Sequence, residues 1–101
     1  MDELLPIADA ARCLSELGHP RRLQIFNLLA RVGGAGCKVG EVQKALGLAK
    51  STLSHHLAEL AAAGLISQTR EGRVLRCRIE TERARQIQAF IARCCEGLPV
   101  A

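Results

Sequence analysis

Three consecutive stretches decide the fold: Val39-Gly40-Glu41-Val42-Gln43-Lys44-Ala45-Leu46, then Gly47-Leu48-Ala49, then Lys50-Ser51-Thr52-Leu53-Ser54-His55-His56-Leu57-Ala58-Glu59-Leu60. Val39, Val42 and Leu46 recur at i, i+3 and i+7, which predicts a helix over about Val39 to Leu46. Leu53, Leu57 and Leu60 line one face of a second helix, about Lys50 to Ala63. Gly47-Leu48-Ala49 is the turn between them. Two short helices across so brief a turn read as a helix-turn-helix.

Downstream of Gly64 the hydrophobic period changes from 3.6 to 2. Ile66 to Thr69 reads as a strand and Arg70-Glu71-Gly72-Arg73 as a turn, with Gly72 at the position needing positive φ. In the returning strand, Val74 to Ile79, the residues Leu75, Cys77 and Ile79 share one face and Val74, Arg76 and Arg78 the other. Upstream, helices are expected over about Leu5 to Leu17 and Pro20 to Val32. Gly18-His19-Pro20 separates them and Gly33-Gly34-Ala35-Gly36 forms a flexible turn after the second. That second helix is apolar on most sides and is expected in the middle of the core. A fifth helix, about Thr81 to Cys95, follows the hairpin. The expected fold is mainly α with a small β-hairpin: a winged helix-turn-helix of five helices and a two-stranded wing, filling residues 1–101 as one DNA-binding domain.

Composition bounds the chemistry. The chain of 101 residues holds two aromatic residues, Phe26 and Phe90, and neither Tyr nor Trp. Its core is therefore aliphatic, and base stacking of the single-strand-binding kind is excluded. Residues 1–19 carry one Arg against four acids. Residues 20–60 carry six Lys and Arg against two acids, and residues 61–101 carry seven Arg against four Glu. An acidic start and a basic remainder suit a polyanionic partner. The longest uncharged apolar stretch, Leu60 to Ile66, is far too short for a membrane span. The acidic start Met1-Asp2-Glu3 is unlike a secretory leader, so a cytoplasmic location with reduced cysteines is expected.

With Leu53, Leu57 and Leu60 inward, a helical wheel turns Ser51 and His55 directly outward and Thr52 and Ser54 to the flanks. These four are the candidates to touch bases or phosphates of double-stranded DNA, with Lys50 adding a cation at the helix start. Arg73 at the hairpin tip, with Arg70 and Arg76, suits phosphate contacts. His56 lies near the core edge and reads as a partly buried structural histidine rather than a DNA reader.

Leu17-Gly18-His19-Pro20-Arg21-Arg22-Leu23 and Ser51-Thr52-Leu53-Ser54-His55-His56-Leu57 resemble the ArsR/SmtB family of bacterial metalloregulators. Ala63-Gly64-Leu65-Ile66 and Arg70-Glu71-Gly72-Arg73 extend the resemblance to most of the chain. It implies a homodimeric transcriptional repressor, joined through its first and fifth helices and released from operator DNA by an inducer. It implies no required cofactor. Two positions depart from the family pattern. His19 stands where Asp is frequent, and Ala49 where Ser or Thr is. Loss of a helix-capping oxygen at each is expected to let these helix starts fray, since a cap contributes about 1 kcal/mol.

Two inducer sites known in the family are missing from the sequence. The third helix has no Cys, and the fifth has no His or Asp. Cys94-Cys95 remains, similar to arsenic-responsive members with a cysteine pair at the end of this helix. The resemblance then implies arsenite or antimonite, As(III) or Sb(III), as inducer. Soft thiolates suit such ions. Trivalent arsenic favours three thiolates; Cys13 is the first candidate for the third and Cys37 the second. Cys77, on the inward strand face, reads as a core residue. Three alternatives stay open: the same repressor triggered by thiol oxidation or persulfidation, a thiol enzyme pairing Cys with His55 or His56, and a protein-interaction module without DNA affinity.

Overall fold

The computed structural model describes residues 4–99. Its helices are α1 (Ile7–Leu17), α2 (Pro20–Val32), α3 (Val39–Leu46), α4 (Lys50–Ala62) and α5 (Thr81–Cys94). Its strands are β1 (Cys37–Lys38), β2 (Ile66–Glu71) and β3 (Val74–Ile79). The expected helices are all present. The wing is larger than expected: a third strand, β1, pairs antiparallel with β3, giving the order β1-β3-β2. Two residues of strand are too short to leave a period, so only the pairing reveals them. The hairpin is also tighter. Glu71 pairs with Val74 and leaves Gly72-Arg73 as the turn, with Gly72 at φ 64°.

Leu53, His56, Leu57 and Leu60 form the buried stripe of α4, at i, i+3, i+4 and i+7. The three leucines share one core with Ile25 and Leu29 of α2, Val42 of α3 and Leu65 and Ile66 at the start of the wing. α2 is less central than its composition suggests. Ile25 and Leu29 are buried, but Leu23 is 51% exposed and Ala30 faces solvent. Its apolar residues occupy two faces, and one chain covers only one of them.

Gly47 ends α3 in the left-handed region (φ 65°), which turns the chain into Leu48 and then α4. At the start of α3, the Glu41 carboxylate accepts the Lys38 backbone N–H at 3.0 Å. His19 corrects an expectation. Its imidazole Nδ1 accepts the Arg21 backbone N–H at 3.1 Å, so it caps α2 in place of a carboxylate. Ala49 offers no such atom, and the start of α4 has no side-chain cap.

Candidate nucleic-acid interface

Lys50, Ser51, Thr52, Ser54 and His55 are all exposed on α4, as the wheel predicts, while the opposite face is locked into the core. The first-turn N–H groups of α4 lack a side-chain cap and no acid lies among the first-turn residues. Those groups and the helix dipole therefore point a partial positive charge outward, the arrangement that attracts phosphate. An open cleft of ≈ 490 Å³ lies between α3, the start of α4 and the wing. Four cations, Lys38, Lys50, Arg70 and Arg73, line it against one acid, Glu41, with Ser54 and Gln43.

Lys38 was not singled out from the sequence. Its signal was its place immediately before the first helix of the helix-turn-helix. Arg76 already has partners within the chain. Its Nε donates to Glu71 at 3.0 Å and its Nη1 to the Ala35 carbonyl at 3.3 Å. Arg78 pairs with the same carboxylate and donates to Thr69 Oγ1. The arginine face of β3 is thus tied within the sheet, and the cations left at the cleft are those of β2, the turn and the two helix starts.

Behind the reading face, Arg22 joins three helices. Its Nη1 contacts the Glu16 carboxylate of α1 at 2.7 Å, and its Nε donates to Nδ1 of His56 on α4 at 3.3 Å. The His56 ring also lies against His19, with centroids 4.6 Å apart, and next to His55. Burial first, then the neighbouring His19 ring and the Arg22 guanidinium, lower the pKa of His56 from 6.5. A neutral imidazole is what an acceptor at Nδ1 requires. His56 is therefore structural, as its wheel position suggests.

The cysteines separate into three groups. Cys94 and Cys95 are exposed at the end of α5. Cys13 is 1% exposed and donates to the Ala63 carbonyl at 3.4 Å. Cys37 and Cys77 face each other across β1 and β3. The structure thus places Cys13 in the core rather than beside Cys94 and Cys95. Among the described residues no group of three or more His, Cys, Asp or Glu is placed to hold a metal ion.

A helix-turn-helix with its second helix exposed, a three-stranded wing beside it and a basic cleft between them define a duplex-DNA reader of the winged-helix class. Comparison with known proteins agrees: residues 19–68 match the bacterial regulatory protein arsR family. The chain is 35% identical over 82 residues to the HTH-type transcriptional regulator YgaV of Escherichia coli strain K12, covering 81% of each. It is 34% identical over 88 residues to the biofilm growth-associated repressor of Agrobacterium fabrum, covering 86% of this chain and 73% of that protein. A homodimeric winged helix-turn-helix DNA-binding domain from Mycobacterium bovis superposes with a TM-score of 0.71 at 32% identity, over 91% of this chain and 83% of that one. The chain belongs to the arsR family: it is a DNA-binding transcriptional regulator and not an enzyme. Among the described residues no helix is long and apolar enough to cross a membrane.

The wing assignment has a direct test. Arg73 is an exposed cation at a turn and carries no geometry for reading a base. Arg73→Ala is expected to weaken specific and random DNA alike and to lower the slope of log K against log salt by about one charge. Binding titrations at several salt concentrations check this. A loss confined to operator DNA contradicts it.

Proposed function

We propose that the chain is a homodimeric repressor that reads operator DNA with α4 and leaves it when a trivalent arsenical or antimonial binds Cys94 and Cys95. The observation that carries this reading is the pair of adjacent, exposed thiols at the end of α5. Exposed apolar residues on the same helix pair support the dimer: Ile7 at 77% and Leu14 on α1, Ile91 on α5 and Leu98 just beyond it. Ser51, Thr52, Ser54 and His55 then face base edges, and Lys38, Lys50, Arg70 and Arg73 hold phosphates.

Arsenite, As(OH)₃, condenses with two thiols to give two As–S bonds and two waters, and keeps its third hydroxyl. Cys13 is held inside the core, so one chain supplies two thiolates. Neighbouring residues on a helix point about 100° apart. One ion gripped by both side chains must draw them together, which distorts the last turn of α5. The ion must bind this DNA-free arrangement better than the DNA-bound one, because equal affinity shifts nothing.

Fluorescence anisotropy on operator DNA tests the proposal. Arsenite is expected to lower wild-type affinity by about 5–150-fold, the usual span of such coupling. Cys94→Ser/Cys95→Ser is expected to fold and bind DNA but ignore arsenite, and Cys77→Ser to respond normally. Release of the double variant at the wild-type dose refutes the site. Among the described residues no third Cys, His, Asp or Glu is grouped with this pair, which favours one alternative, oxidation or persulfidation of the same two thiols. Release by peroxide or persulfide that is lost in Cys94→Ser/Cys95→Ser, with no response to arsenite, selects it.

A further inference from the structure

Cys37 of β1 and Cys77 of β3 are direct Cα partners in an antiparallel pair, so their side chains lie on one face of the sheet. Residues so placed hold their Cβ atoms about 4.5–5.5 Å apart, against the roughly 3.5–4.5 Å of a disulfide. A small movement closes the gap. The Cys77 thiol already lies over β1, where it donates to the Cys37 carbonyl at 3.3 Å. Cys77 is fully buried and Cys37 is half-buried, so a dissolved reagent meets Cys37 first.

We infer that Cys37 and Cys77 are a redox dithiol that a hydroperoxide closes into a cross-strand disulfide at the root of the wing. The Cys37 thiolate attacks one peroxide oxygen, breaks the O–O bond and becomes a sulfenic acid, releasing water. The sulfur of Cys77 then attacks the Cys37 sulfur. The S–S bond forms, the S–OH bond breaks, and the hydroxide leaves as water with the Cys77 proton. Two thiols lose two electrons in all, and hydrogen peroxide becomes two waters.

The surroundings set the threshold. Burial, with the Glu41 carboxylate 4.0 Å from the Cys37 sulfur, pushes that thiol up, and Arg76 opposes the shift. Burial pushes Cys77 up to about 11. Both thiols are thus mostly protonated at neutral pH, which keeps the pair reduced until peroxide is abundant. β1 runs directly into α3, and β3 carries the wing. The bond would enclose α3, α4 and β2 in one covalent loop and fix the wing to the helix-turn-helix.

The full chain carrying Cys94→Ser/Cys95→Ser is treated with hydrogen peroxide, which separates this pair from the arsenical site. Expected is a mass loss of two hydrogens that dithiothreitol reverses, and a disulfide joining tryptic peptides 32–38 and 77–78. The unfolding temperature is expected to rise by about 5 °C or more, because the cross-link closes a long loop in the unfolded chain. Cys37→Ser in the same background is expected to lose neither hydrogens nor gain temperature. Oxidation that stops as added oxygen on Cys37, a disulfide to Cys13, or no reaction at all overturns the inference. None of these outcomes bears on Cys94 and Cys95.

Discussion

Gly36→Ala is expected to lower stability by about 3 kcal/mol, at the large end for a single methyl group. Gly36 has φ 75°, where an L side chain is strained by about 1–2 kcal/mol. A Cβ placed there would lie 2.5 Å from the Cys77 carbonyl oxygen and 2.6 Å from Arg78 Cγ. The first of these is backbone in the central strand and cannot step aside without breaking β1 from β3. For a domain of this size, about 3 kcal/mol corresponds to a fall in Tm of roughly 12–24 °C. Gly34→Ala is the control: its added Cβ meets nothing within 4 Å and its φ is ordinary. It should stay within about 0.5 kcal/mol of the wild type. Thermal unfolding of both decides the matter, and equal melting temperatures refute the close approach.

Arg22→Ala carries the second large effect, about 2–3 kcal/mol in urea unfolding. Truncation leaves the Glu16 carboxylate, with its side chain 14% exposed, without its cation, and Nδ1 of His56 without its donor. Arg22→Lys should recover less than half the loss, since one ammonium cannot reproduce a fork that serves two partners in different directions. A cost below 0.5 kcal/mol for Arg22→Ala would mean the contacts behave as ordinary surface ones. A pH signature accompanies them. The folded state holds the His56 pKa below 6.5, so the unfolded chain takes up the proton first. Stability is therefore expected to be level above about pH 6.5 in this respect, and to fall as the pH drops below it. Replacing His56 with Gln should flatten that part of the profile.

The helices were legible because each carries a full period of buried residues. Leu53, Leu57 and Leu60 fixed the inward face of α4 and thereby the outward set of Ser51, Thr52, Ser54 and His55. Non-local pairing was less legible. β1 is two residues long and exists because Cys37 and Lys38 find Cys77 and Arg76 some forty positions away. The same pairing turned Gly36 from an expected flexible link into a fixed point. The partners of Arg76 were not legible, because alternation assigns a residue to a face but cannot see Glu71 across the hairpin or Ala35 beyond it. His19 looked like a lost cap because residue type alone does not reveal that an imidazole nitrogen can sit where a carboxylate oxygen would. The outer face of α2 looked like core because its Leu23 and Ala30 are as apolar as any interior residue.

The pairing of β1 with β3 also has a mechanical side. It ties the wing to the start of α3, so the helix-turn-helix and the wing are coupled through two pairs of residues. In the proposed dimer, with its seam at α1 and α5, each protomer becomes a stiff lever whose long dimension is 48 Å. Tilting such a lever by about 5° at one end carries the other through roughly 4 Å, a rigid-body gain familiar from subunit rotations. Reading heads that must land one DNA turn apart, about 34 Å, tolerate little of that travel. A tilt of that size, driven from the end of α5, would then put both heads out of phase with the groove.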